Sequence, residues 1–321
     1  MTKDEFMKEA IEKLMELMPE DLKKGLEITT TRVMKMNDQE LNGLVMNREG
    51  VDTSPTIYID HLYEKHLAGE DTKAMMMEVL DLYKDSLRDH PEIVQPDLSY
   101  ESIKDNVTMR LIELKRNRMY LVDVPYMSVG NGFAVVCDIK MDNREGSWRT
   151  TITRDILEKN GYDKKLLFTA AMRDAWEHDP PVMMDMSGQL LGVHGLVNRL
   201  ECSGPISDQE KSNMYVLSNS SGVLGASALF YPGVQEHIAE QLAESYYVLP
   251  SSVHEVLIVP ESAGIGREEL SGMVRAANNT VVEAKDVLSD NVMHYDKDEK
   301  QLSIASPEMS LTEKPREEAR C

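Results

Sequence analysis

The chain has 321 residues, 41% of them hydrophobic, which is enough for two or three modules with real cores. Its formal net charge of −21 repels phosphate backbones and anionic lipid, so nucleic-acid and membrane binding are disfavoured as general roles. The three cysteines, Cys137, Cys202 and Cys321, stand far apart and form no CxxC pair, which argues against structural zinc and a disulfide framework.

The start, MTKDEFMKEAIEKLMELM, carries acids where a signal peptide needs basic residues, and no apolar run is long enough to span a bilayer. The expected location is the cytoplasm. Phe6, Ala10, Leu14 and Leu17 recur at helical spacing, so an amphipathic helix opens the chain and Pro19 ends it. Leu26 to Met36 reads as a strand, and Leu41 to Asn47 as its antiparallel neighbour around an Asn37-Asp38 turn. Ser54-Pro55 reads as a helix start, a cap followed by proline. A further helix carries Met76, Val79, Leu80, Tyr83 and Leu87. Met75-Met76-Met77 is read as core filling in preference to an adaptable binding face. His90 to Pro96 is a linker, which closes a first module over 1–95.

A middle module, 97–203, starts with a clear helical stripe of Ile103, Val107, Leu111 and Leu114. Lys115-Arg116-Asn117-Arg118 then reads as the cationic end of that helix. Strands are expected over Met119 to Val124, Phe133 to Met141 and Trp148 to Thr153, and helices over Arg154 to Lys159 and Lys164 to Trp176. His178-Asp179-Pro180-Pro181 breaks the pattern. A C-terminal module, 207–306, follows the Ser203-Gly204-Pro205 break. It reads as a strand at Met214 to Ser218, a short helix at Gly222 to Phe230 and a helix from Pro232. Strands at Tyr246 to Leu249 and Glu255 to Val259 come next, then a helix with Leu270 and Val274. A closing hairpin turns at Asp296 to Lys300. The tail, 307–321, is polar and aperiodic, hence expected to be disordered. The order of elements predicts an α+β protein with predominantly antiparallel sheets flanked by helices.

The runs MYVLSNSSGVLGASALFYPG and YYVLPSSVHEVLIVPES resemble a family from gut Clostridia and related Firmicutes, catalogued as domain of unknown function five-six-eight-eight. The resemblance is strongest over Met214 to Tyr295 and extends back through VDVPYMSVGNGFAVVCDIKMD and SPTIYIDHLYEKHLAGED. It implies a bacterial cytosolic origin and carries over no activity.

Ser252, His254 and Glu255 are the candidate catalytic residues, because a serine nucleophile needs a base and the base an orienting acid. On a strand, however, His254 and Glu255 point to opposite faces, and Ser252 and His254 stand about 7 Å apart at Cβ. The structural reading, a hairpin corner in which Pro250 and the serines turn the chain, is preferred. A zincin would need a second histidine where Ile258 stands. His178 with Asp179 and Asp185 lacks ligand spacing, and His194 reads as a buried or capping residue. Gly264-Ile265-Gly266 sits where an anion-binding turn would, but Glu268 and Glu269 would repel phosphate. Ser218-Asn219-Ser220-Ser221-Gly222 lacks the lysine of a P-loop and reads as a turn and cap. No metal or cofactor is expected. The leading functional expectation is a non-catalytic interaction or accessory protein with a protein partner. The alternatives are a small-molecule hydrolase or transferase built on Ser252, His254 and Glu255, and a ligand-sensing module with a pocket between modules.

Overall fold

The computed structural model describes residues 1–50, 54–89, 97–143, 146–186 and 197–305. The His90 to Pro96 linker, His194 and the 307–321 tail lie outside the described residues. The chain divides into two compact units, Met1–Asp97 and Leu98–Cys321. The fold is α+β with antiparallel sheets, as the order of elements predicts. Among the described residues no helix is long and apolar enough to cross a membrane.

In the first unit, α1 (Lys3–Leu17) starts at a reciprocal cap: the Thr2 hydroxyl accepts from the Glu5 N–H, and the Glu5 carboxylate from the Thr2 N–H. A short α2 (Glu20–Lys23) follows Pro19. Strands β1 (Leu26–Lys35) and β2 (Gln39–Arg48) pair along their whole length. Asn37 and Asp38 make the turn with left-handed φ of 61° and 51°, a conformation these short polar side chains tolerate. Ser54-Pro55 does not open a helix. Thr56–Tyr58 forms β3 on β2, and Pro55 and Ile59 extend that pairing through bonds with Met46 and Asn42. The sheet thus holds the segment extended, and α3 (Asp60–Leu67) starts later. With α4 (Thr72–Asp89) it closes a core in which Phe6, Leu14, Leu44, Leu62, Met76 and Tyr83 meet. Met75 and Met76 are buried and Met77 is exposed, so two of the three methionines fill the core.

In the second unit, one helical turn, α5 (Tyr100–Ile103), gives way to strand β4 (Val107–Glu113), correcting the predicted helix through Leu114. Met109 and Leu111 are buried on one face and pack as a strand does. Lys115 and Arg116 therefore follow a strand, in a 3-10 turn over Leu114–Arg116, and do not end a helix. Met119 to Val124 is also corrected. The Leu121 N–H bonds the Asn117 carbonyl, which winds Tyr120–Asp123 into α6. The strand comes after Pro125, as β5 (Tyr126–Gly130). Strand β6 (Phe133–Asn143) is central, with β4 on one side and β5 and then β7 (Gly146–Thr151) on the other. Arg110 and the buried Asp138 pair at 2.6 Å across β4 and β6, and Thr151 joins them from β7.

Helices α7 (Arg154–Lys159) and α8 (Lys164–His178) lead to β8 (Pro181–Asp185). The second sheet also contains β9 (Tyr215–Asn219), β10 (Tyr246–Leu249), β11 (Val256–Pro260), β12 (Met293–Asp296) and β13 (Gln301–Ile304), in the order β13-β12-β10-β11-β9-β8. Its edge strand β8 precedes the Ser203-Gly204-Pro205 break and pairs with β9 beyond it. Helices α9 (Val234–Leu242) and α10 (Arg267–Thr280) flank this sheet. Leu270 and Val274 of α10 pack on Leu249 and Val259. Phe133 of β6 meets Phe230, at the end of a 3-10 turn over Gly225–Phe230, with ring centroids 6.4 Å apart.

Candidate functional site

The loop after β9 organises two neighbouring polar sites. On one side it folds over Asp179, which caps the end of α8. The Asp179 carboxylate accepts from the Asn219 amide at 2.6 Å, the Ser220 hydroxyl at 2.9 Å, and the Ser221 N–H and hydroxyl, both at 3.0 Å. A carboxylate so engaged is a scaffold for the loop, because its lone pairs are committed to donors. Asp179 and the loop form one wall of a cleft of about 500 Å³. Acids Asp105, Asp174 and Glu177 and cations Lys140 and Arg149 also line it. The buried Tyr231 stands at its wall. Burial pushes the Tyr231 hydroxyl up to about 12, against hydrogen bonds with Ser227 and Asn219 that pull it down. It stays protonated at neutral pH and serves there as a hydrogen-bonding group. The cleft draws on residues from both sides of the 203–207 break.

On the other side the same loop meets the Ser-Ser-Val-His-Glu corner. Strands β10 and β11 are adjacent and antiparallel, with Leu249 opposite Leu257, so the corner joins neighbouring strands. Its backbone is stitched to a second segment: Ser251 O accepts from Leu288 N–H, Val253 N–H donates to Asp286 O, and Ser252 bridges Val287. The Ser252 hydroxyl accepts from the His254 backbone N–H at 3.0 Å. The His254 carbonyl accepts from the Ser218 hydroxyl at 2.8 Å. His254 Nδ1 accepts from the Leu224 backbone N–H at 3.2 Å, and its Nε2 lies 3.6 Å from Asp286 Oδ1. One ring nitrogen is therefore bonded to backbone and the other faces an acid. The corner brings Ser252 to the backbone of His254, and the acid facing the ring is Asp286, not Glu255.

The approach of these chains is close. A Cβ at Gly225 would stand 2.1 Å from Ser218 Oγ, 2.5 Å from Asn219 N and 2.7 Å from His254 O. Glycine is required there by space alone. Leu224 beside it takes a left-handed φ of 59°, rare for a branched side chain, which aims its N–H at the imidazole.

His178 and Asp179 both reach the cleft, but Asp185 stands at the far end of β8 opposite Tyr215, so the three do not converge. Among the described residues no group of three His, Cys, Asp or Glu side chains could hold a metal ion. Gly264 takes a left-handed φ of 69° and Gly266 caps α10, with Glu268 and Glu269 in its first turn as the sequence places them.

Residues 3–297 match the profile of a family of unknown function, DUF5688. The chain belongs to that family. No curated protein and no solved structure matches it. The DUF5688 match takes in the Asp179 loop, the cleft and the His254 corner together. Two stretches singled out in the sequence line the cleft, the break at His178-Asp179-Pro180-Pro181 and the turn at Ser218-Asn219-Ser220-Ser221-Gly222, but nothing in either joins them. Asp179 meets its loop partners 40 residues further along the chain.

Proposed function

We propose that this is a non-catalytic accessory protein whose second unit senses a small polar ligand of mixed charge in the Asp179 cleft. The observation that supports the reading is the lining of that cleft, where Asp105, Asp174 and Glu177 stand with Lys140 and Arg149 around about 500 Å³. A cavity of that size with a few converging polar groups suits a metabolite. Both signs of charge suit a zwitterion or an amino-hydroxy acid. The non-catalytic part rests on the corner, where the His254 ring is held by Leu224 and faces Asp286. The free thiols Cys137 and Cys202 suit a reducing compartment, the cytosol.

The test is a thermal-shift screen of the full chain against amino acids, hydroxy acids and sugar phosphates, with hits measured by calorimetry. The exposed rim residue Asn106 is replaced by Trp to block the mouth. A ligand that raises the melting temperature of the wild type and not of Asn106→Trp supports the reading. No hit, or an equal shift in both proteins, ends it.

A further inference from the structure

A second groove, of about 650 Å³, lies away from the Asp179 cleft. Lys115, Arg118 and Arg154 line it, together with Leu121, Val122 and Ile304. In a chain of net charge −21 such a surface is unusual. Glu113 is its lining carboxylate, and it is buried and committed: it accepts from the Ser289 hydroxyl and the Asn291 amide, both at 2.9 Å, and meets Arg116 at 3.3 Å. Arg154 donates to the carbonyls of Val122 and Leu121. Among the described residues no carboxylate lies within ion-pair distance of Lys115, Arg118 or Arg154. The groove also holds exposed apolar surface, with Val122 at 60% and Ile304 at 43% exposure.

Ile304 belongs to β13, the edge strand of the second sheet. The Asn131 side-chain amide donates to the Leu302 carbonyl at 2.8 Å. That carbonyl therefore points away from β12, and the alternation of an antiparallel pair aims the backbone N–H and C=O of Ile304 the same way. Asn131 already makes, on this edge, the kind of bond that a docked backbone N–H would make.

We propose that this groove docks an extended segment of a partner protein that carries carboxylates beside aliphatic side chains. The segment would lie along the β13 edge, with its acids on Lys115, Arg118 and Arg154 and an aliphatic group against Val122 and Ile304. Charge complementarity selects this occupant, since unpaired cations attract an acidic chain, whereas a second copy of this acidic protein is repelled overall. This goes beyond the ligand reading and does not depend on it.

The test is panning of a random octapeptide phage library on the full chain, with the Lys115→Glu/Arg118→Glu double variant as counter-target. Both residues are exposed and their fold is checked by circular dichroism. Enriched peptides are expected to combine Asp or Glu with Leu, Ile or Val. Synthetic copies are expected to bind the wild type about tenfold tighter than the variant, and more weakly as salt is raised. No enrichment, enrichment of peptides without acids, or equal binding to a folded variant overturns the proposal. So does concentration-dependent dimerisation of the wild type that the double variant abolishes, which would assign the groove to a second copy.

Discussion

His254 Nδ1 accepts the backbone N–H of Leu224 at 3.2 Å, which ties the hairpin corner to the loop that also wraps Asp179. The imidazole acts here as a backbone acceptor. His254→Ala removes that acceptor and leaves a partly buried N–H without a partner, so a loss of about 1–2 kcal/mol is expected. Urea denaturation of the two proteins measures it. A fluorophosphonate probe is expected to leave Ser252 unlabelled in the wild type. Labelling of Ser252 that vanishes in His254→Ala, with stability unchanged, would make the corner an active site.

Gly225 tests the same knot by volume. Its added Cβ would meet backbone atoms of Asn219 and His254, which cannot swing aside as a side-chain tip can. Gly225→Ala is expected to cost about 3 kcal/mol or more. Gly222, three residues earlier, has a left-handed φ of 67° and open space around it. Gly222→Ala there is expected to cost only about 1 kcal/mol, the conformational penalty alone. Thermal melts of both variants compare the two, and an equal effect would show that the close approach relaxes.

The hairpins were legible because two signals agree in them: runs of apolar and strand-forming residues, and polar turn residues between. Leu26 to Met36 with Leu41 to Asn47, and Tyr246 to Leu249 with Glu255 to Val259, are of this kind. The misread stretch shows the limit of periodicity. Val107 and Leu111 are four apart, which puts them on one helical face and, because four is even, equally on one face of a strand. Only pairing with β6 decides between them. Ser54-Pro55 failed for a related reason, since a local cap signal yields to a neighbouring strand that offers its edge. The Asp179 site was hidden more deeply. An aspartate at a helix end looks like a cap, and nothing in its own surroundings announces the serines that it organises.

Acid is expected to loosen the first unit through Asp60. Burial raises its carboxyl, but bonds from the Lys3 ammonium and from the amide and backbone N–H of Asn42 outweigh this and hold it below the ordinary aspartate range. A group depressed in the folded state contributes stability above its unfolded value and loses it as pH falls through the folded one. Part of the stability of the wild type is therefore expected to fade below about pH 4. Asp60→Asn is expected to be less stable at neutral pH and to lack that part of the acid dependence. Denaturation across pH 2.5–7 (~0.5 steps) resolves the difference, and parallel curves for the two proteins would remove Asp60 as the cause.

The polar break at Ser203-Gly204-Pro205 makes 207–306 a candidate folding module, and the contacts that cross the break set how well it stands alone. Strand β8 covers the outer edge of β9 and buries Met183 there. Glu113 holds Ser289 and Asn291, Phe133 packs on Phe230, and Asn131 bonds Leu302. A fragment cut at 207 gives up all of these. It exposes the unpaired edge of β9, and the Ser289 hydroxyl loses a buried charged acceptor. Residues 98–306 keep every one of these contacts. The shorter fragment is therefore expected to melt about 10 °C or more below the longer one, or to show no cooperative transition. Both are compared by calorimetry at equal concentration. Coincident cooperative melts would show that the six-stranded sheet needs neither β8 nor the Glu113 bonds, and that the break marks an independent domain.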